Sequence, residues 1–338
     1  MSIGLVAAAA MALAMPAAVL AGHSEPSASA GARSVPIETD LELPEPTGPL
    51  AVGMSNLRIP LPNDTEVGVA LWYPAVDDTG RAAVYVTADQ SRELVAALLG
   101  SQTTTSPDFL STTDTHATAD PEALAADMPL VVALAGLNLP GTSMGGLALD
   151  LASHGYAVAT VDWTGDMTAA ASAVLDELIG GDSIRIDPDK VAVIGHSYGG
   201  EAAARVVRAD RRFVAGISFD STFPPDITTD VDAPFMMLDT PTHANDAHSS
   251  NWQHLTGWRR WYIVQGSTHY TFTDYPALFE QVGVTGFEGS TTPRARESVI
   301  VRSYVGAFLD LHLLGSPEPL LEPPVFPEVI FQDPPQQP

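Results

Sequence analysis

The segment Gly195-His196-Ser197-Tyr198-Gly199 constrains this chain more than any other. The apolar run Val191-Ala192-Val193-Ile194 leads straight into it, and Gly200-Glu201-Ala202-Ala203-Ala204-Arg205 leads out. That order predicts a strand, a tight turn and a helix, the context in which a G-x-S-x-G motif holds a serine hydroxyl clear of a sheet. The glycines have a steric reason, since a Cβ at 195 or 199 would meet the neighbouring strand and helix while the turn strains the backbone at Ser197. The bland reading, a Gly-rich turn with an idle serine, does not account for the strand before it and the helix after it.

A serine hydroxyl is a poor nucleophile at neutral pH, so this reading requires a histidine base and a carboxylate that orients it. In chains built around such an elbow, the acid and then the histidine follow the serine along the sequence. His269 is the expected base: Trp261-Tyr262-Ile263-Val264 reads as a strand, and Gln265-Gly266-Ser267-Thr268-His269 is a short polar turn leaving its end. Its plain alternative is a solvated loop histidine. Two aspartates compete for the acid. Asp220 ends the strand Val214 to Phe219, and Asp239 ends the next, Phe235 to Leu238. Both sit where strands deliver side chains to the active edge of a parallel sheet, and pattern alone leaves the choice open.

The assembled segments resemble the platelet-activating-factor acetylhydrolases and their bacterial relatives within the α/β-hydrolase superfamily. The likeness runs from about Leu43 to Leu314. It rests on Pro46-Thr47-Gly48-Pro49 with Val52-Gly53, Leu71-Trp72-Tyr73-Pro74-Ala75, Leu151-Ala152-Ser153-His154-Gly155-Tyr156, the elbow, and Gly266-Ser267-Thr268-His269. The resemblance implies Asp220 as the acid, with Asp239 or Asp246 as alternatives. It also implies an oxyanion hole made by the backbone N–H groups of Tyr198 and Leu137, a device worth roughly 100- to 1000-fold in rate per donor. Leu137 lies in Ala135-Gly136-Leu137-Asn138, after the strand Leu130 to Leu134. Here the chain departs from the family's His-Gly-Leu-Gly type of loop, with Ala135 in place of the histidine and Asn138 in place of the second glycine.

The expected fold is α/β: a mostly parallel sheet with helices on both faces and an antiparallel start. Strands are expected near Asn56 to Ile59, Glu66 to Trp72 and Ala83 to Val86. The parallel part then alternates Leu130 to Leu134, a helix from Gly146 to Ser153, strand Ala157 to Val161, helix Thr168 to Ile179, and the elbow strand and helix. A last helix is expected over Arg294 to Leu314. The domain order expected is a signal peptide over residues 1–21, a disordered linker over 22–45, a catalytic domain over 46–315 and a Pro-rich tail over 316–338. Residues Met1 to Ala21 are uncharged and alanine-rich, and Val19-Leu20-Ala21 suits a small-residue cleavage site, although a basic leading region is missing. An exported, soluble protein without an integral membrane anchor is therefore expected.

Zero cysteines exclude disulfides, thiolate metal sites and a cysteine nucleophile. The net charge of −26, with Lys190 the single lysine, argues against nucleic acid and anionic membranes as partners and fits either a high-salt setting or codon bias against lysine. No cofactor is expected. His243, Asp246 and His248 have ligand types at metal-like spacing, but no second signal joins them, and a polar loop rimming the cleft is the expectation. Trp163, past a strand end, is a candidate pocket residue or else a partly buried core tryptophan. The function expected is a serine carboxylic ester hydrolase acting through an acyl-serine intermediate, and the resemblance implies small, short-acyl esters, those of lipids among them. A cutinase-like polyester hydrolase is the alternative in kind, and a catalytically inactive binding protein on the same fold the alternative in class.

Overall fold

Strands buried on both faces must be apolar at every position rather than at every second one, and the middle of this chain supplies such runs. β4 (Met128–Leu134), β5 (Ala157–Val161), β7 (Ala215–Phe219) and β8 (Phe235–Asp239) are buried throughout. With β6 (Ile186–His196) and β9 (Arg259–Val264) they form the parallel centre, each pairing in parallel with its neighbours in the order β9-β8-β7-β6-β4-β5. The antiparallel start is β1 (Val52–Pro60) paired with β2 (Glu66–Pro74), and β2 joins the centre antiparallel to β5. β3 (Thr118–Ala119) pairs with β1 at one edge, and β10 (Val329–Phe331) runs antiparallel to β9 at the other.

The computed structural model describes residues 41–100, 106–181, 184–221, 230–243, 252–285, 287–322 and 325–332, the side chain of residue 288 excepted. All fall in the unit Thr39–Pro338. The expected signal peptide, most of the expected linker, Asp246 and His248 lie outside them.

Each sheet face carries its own core. On one side pack α1 (Ala88–Leu98), α2 (Gly145–Ser153), α5 (Tyr275–Gln281) and α6 (Arg294–Leu309), burying Leu94, Leu149, Phe279 and Phe308 among others. On the other pack α3 (Met167–Gly180) and α4 (Tyr198–Ala209), through Ala170, Val174, Ala203 and Val207. Among the described residues no helix is long and apolar enough to cross a membrane.

Four expectations need correction. Ala83 to Val86 is not a strand: Ala82 makes one bridge to Thr118, and Tyr85 and Val86 sink into the core before the Thr87 cap begins α1. The capping box of Thr87 and Gln90, whose T-x-x-Q pattern is legible, starts a helix absent from the expected elements. The expected linker ends early, because Leu41 and Leu43 are buried and exchange backbone hydrogen bonds with Asp114. The tail also reaches the sheet, with Leu321 buried and Val329–Phe331 completing it as an edge strand. In both end segments a few apolar residues spaced along a polar stretch suffice to dock it. Finally, the last helix is α only to Leu309; Asp310–Leu314 widens into a π-type turn that closes on Gly315 at φ 71°.

Candidate active site

Parallel strands deliver the loops at their carboxyl ends to one edge of the sheet, and five such loops, after β4, β6, β7, β8 and β9, build the site. Ser197 follows β6 with φ 55° and ψ −121°, a conformation costing on the order of 1–3 kcal/mol that side chains rarely adopt outside functional turns. The steric reason for its glycines holds: a Cβ on Gly195 would collide with the Gly199 carbonyl, and one on Gly199 with the Leu134 carbonyl. Ser197 N–H donates to the Phe219 carbonyl at 2.9 Å, tying the elbow to the end of β7.

Asp220, the next residue, is fully buried and has φ 43°. Its Oδ1 accepts from Thr240 N–H at 2.8 Å and from Thr240 Oγ1 at 2.7 Å. Its Oδ2 faces two histidines, with Nδ1 of His269 and Nδ1 of His243 each at 2.6 Å. Burial acts to raise its pKa, but the bonds from His243, His269 and Thr240 outweigh burial and hold the carboxyl well below the usual carboxylate range. An ionised carboxylate only accepts, so both histidines carry their proton on Nδ1. Nε2 of His269, when the ring is neutral, is then an acceptor.

Asp239 ends β8 and is equally buried, yet Asp220 is the one carboxylate that His269 bonds among the described residues. Burial, reinforced by the charge of Asp220, pushes the Asp239 carboxyl well above its usual range. What the end of β8 gives the site is its loop, where Thr240 and His243 are held in one turn by the bond from His243 N–H to the Thr240 carbonyl at 3.3 Å.

His196, at the variable position before the serine, also belongs to the site. Its Nε2–H donates to the His269 carbonyl at 2.8 Å, and its ring lies 4.6 Å from that of His269. Burial first, and then the charge of His269, lower its pKa to about 3, so it stays neutral. Only the occurrence of a histidine there signalled this role, and a variable position in a motif carries no weight by itself.

The loop after β4 closes over the elbow. A Cβ on Gly136 would lie 3.0 Å from His196 Nδ1 and 3.4 Å from Ser197 Cβ, a close approach that calls for glycine. Asn138 has φ 59°, so the position where relatives carry glycine does require the left-handed region, and Asn is the side chain that best tolerates it. Leu137 and Tyr198 stand exposed at 54% and 37%, and neither backbone N–H has an acceptor among the described residues. The site is thus flanked by two open amide donors. Beside them lies an open cleft of mixed character, with Leu94, Leu98, Leu139 and Trp163 on its wall and Glu93 and Asp162 among its polar groups. Trp163 meets Tyr198 edge to face at 6.4 Å, and its Nε1 has no partner among the described residues.

Of the loop suspected of metal-like spacing, His243 is described and turns to Asp220. Asp220, His243 and His269 present atoms within 4.8 Å of one another, but these atoms are already joined by hydrogen bonds.

Known proteins resemble this chain in sequence and in fold. Residues 182–315 match the family model of platelet-activating factor acetylhydrolase, isoform II. A probable 1-alkyl-2-acetylglycerophosphocholine esterase of Arthroderma benhamiae is 24% identical over 258 residues, 61% of this chain and 66% of that protein. The platelet-activating factor acetylhydrolase of Cavia porcellus is 30% identical over 96 residues, 27% of this chain and 22% of that protein. The chain therefore spans just under two thirds of the first of these curated relatives and about a fifth of the second. Among solved structures, a ferulic acid esterase from Streptomyces cinnamoneus superposes with a TM-score of 0.75 at 31% identity, over 87% of this chain and all of that one.

Proposed function

From a chain that belongs to the α/β-hydrolase superfamily, among its platelet-activating-factor-acetylhydrolase-like esterases, we propose a serine carboxylic ester hydrolase that works through an acyl-serine intermediate. The observation that carries the mechanism is the strained Ser197 at the end of β6, next in the chain to His196 whose ring packs on His269, together with the commitment of His269 Nδ1 to an ionised, buried Asp220. With that nitrogen occupied, Nε2 of His269 takes the Ser197 proton as Oγ bonds to the ester carbonyl carbon. The carbonyl oxygen becomes an oxyanion held by the Leu137 and Tyr198 amides. Collapse breaks the bond to the alkoxy oxygen, which leaves as the alcohol with the proton from His269. Water, losing a proton to His269, then attacks the acyl-serine, and the returning proton frees Ser197 and the acid.

The substrate we propose is a small ester with a short acyl group, on a lipid-type alcohol in line with the names of the curated relatives. The leucines and Trp163 on the wall of the cleft beside Leu137 support an apolar group against that wall. A second reading, an aromatic acyl ester, is favoured by the Trp163 ring in the wall of that cleft, by the Tyr198 ring against it and by the name of the structural relative. Export is also part of the proposal and rests on the apolar, uncharged Met1 to Ala21.

A screen of p-nitrophenyl esters from acetate to palmitate, with methyl ferulate and a polyester film alongside, tests the reading. The highest kcat/KM is expected on the shortest acyl chains. A preference for ferulate would select the second reading, and release from the film alone would select a polyester hydrolase. In every arm Ser197→Ala is expected to lose activity by several orders of magnitude while remaining folded.

A further inference from the structure

The proposed mechanism needs one histidine on Asp220, and there are two. His243 and His269 approach the same oxygen, Oδ2, at the same 2.6 Å, and their rings lie 5.2 Å apart. They come from different strand ends, His243 from the turn after β8 and His269 from the turn after β9. His269 is the one that reaches the elbow, since its ring packs on His196 and its carbonyl is held by His196 Nε2–H. His243 is about one third exposed.

We propose that His243 is a positioning residue that shares the Asp220 carboxylate with His269 and thereby sets the pH range over which His269 can act as base. The inference rests on the proposed triad. A carboxylate oxygen has two lone pairs, and here both are used. The stabilisation that Asp220 offers a protonated His269 is therefore divided, because part of the charge on Oδ2 is already drawn toward the His243 donor. Without His243 the whole of Oδ2 serves His269, the imidazolium is held more tightly, and the base is neutral only at higher pH. Asp220 would keep its orientation, because Oδ1 remains bonded to Thr240 N–H and Oγ1.

Among the described residues Asp239, His196 and Tyr270 are the other titratable groups that face this pair. Asp239 is buried, with its carboxyl pushed up by burial and by Asp220. His196 is buried and kept neutral. The ion pairs made by Asp220 among the described residues are those with the two histidines, with no lysine or arginine beside it.

The test is the pH dependence of kcat/KM on p-nitrophenyl acetate for wild type, His243→Ala and His243→Asn, with Ser197→Ala and His269→Ala as references. Asn can place an N–H donor where Nδ1 stood but cannot titrate. The acid limb of His243→Ala is expected to move to higher pH by about one unit, the size of one charge-assisted hydrogen bond, and His243→Asn to return it toward wild type. Superimposable profiles for wild type and His243→Ala would overturn the inference. So would a His243→Ala variant as inactive as His269→Ala, which would make His243 the base. Full turnover in Ser197→Ala would sink the parent mechanism instead, so the two failures are distinguishable. Should the Ala variant not fold, proton NMR decides: two carboxylate-bonded imidazole Nδ1–H resonances, both lost in Asp220→Asn and so set apart from the carbonyl-bonded Nε2–H of His196, are expected in wild type and one in His243→Asn, and a single one in wild type would contradict the sharing.

Discussion

Asp220 and Asp239 end neighbouring strands, are both fully buried, and are carried in opposite electrostatic directions. Burial raises both. At Asp220 the four donors from Thr240, His243 and His269 overcome it, and at Asp239 the hydrogen bonds of Trp261 and Ser221 do not. Depth in the sheet therefore does not decide which carboxylate stays charged; the loops after the strands do. The loop after β8 shows this most plainly, because it turns Thr240 and His243 toward Asp220 of the neighbouring strand.

The largest expected effect tests that contrast at Asp220. Asp220→Asn replaces an acceptor by an amide and removes the charge that balances a protonated His269, and a loss on the order of ten-thousand-fold in kcat is expected, the scale known for triads of this kind. Asp239→Asn should cost less than about tenfold on the same substrate, since Asp239 does not bond His269. The reverse ranking, read by steady-state kinetics, would break the comparison.

The same pair makes opposite contributions to stability as pH changes. Asp220 has a folded-state pKa below its unfolded value, so its contribution is present above the unfolded value and lost as pH falls. Asp239 has a folded-state pKa above its unfolded value, so the folded chain binds the extra proton and stability declines as pH rises from the unfolded pKa toward the folded one. Asp239→Asn should therefore raise the melting temperature near pH 7 relative to wild type, with the gain shrinking toward pH 4. A gain that grew toward low pH would contradict the assignment.

The smallest expected effect concerns the surface. With a charge of −26, exposed carboxylates repel one another over about 30 Å at 0.01 M salt and over about 3 Å at 1 M. The melting temperature should rise with NaCl and level off near 1 M if screening is the whole cause. A continued rise would mark adaptation to salt, and a flat profile would return the shortage of lysine to codon bias.

Much of this was legible where one local rule governs. The elbow strand, turn and helix, the apolar runs of the parallel centre, and the strand-end placement of Asp220 and His269 follow from patterns only a few residues long. The choice between Asp220 and Asp239 was not, because it depends on Thr240 and His243 folding back across a strand. The pairing of His243 with Asp220, 23 positions away, leaves no periodic trace and left only a metal-like spacing to notice. The docking of Leu41 and Leu43 was hidden for a related reason, since each is an isolated apolar residue in a polar stretch whose partner lies far off in sequence, whereas the apolar residues of the tail were visible as able to lie along the surface but not as an edge strand on β9. The left-handed Asn138 shows the reverse: where the resemblance leads one to expect glycine, the backbone does take the left-handed conformation, with Asn in glycine's place.

The most direct test of the whole account is covalent trapping. Treated with a fluorophosphonate, the wild-type chain should gain the mass of one adduct, located by peptide mapping on Ser197, with loss of esterase activity in step. Ser197→Ala should gain none. An adduct on another residue, or full inactivation without any adduct, would contradict the acyl-serine mechanism, and a folded wild-type chain that neither labels nor hydrolyses any ester would make the fold a binding scaffold.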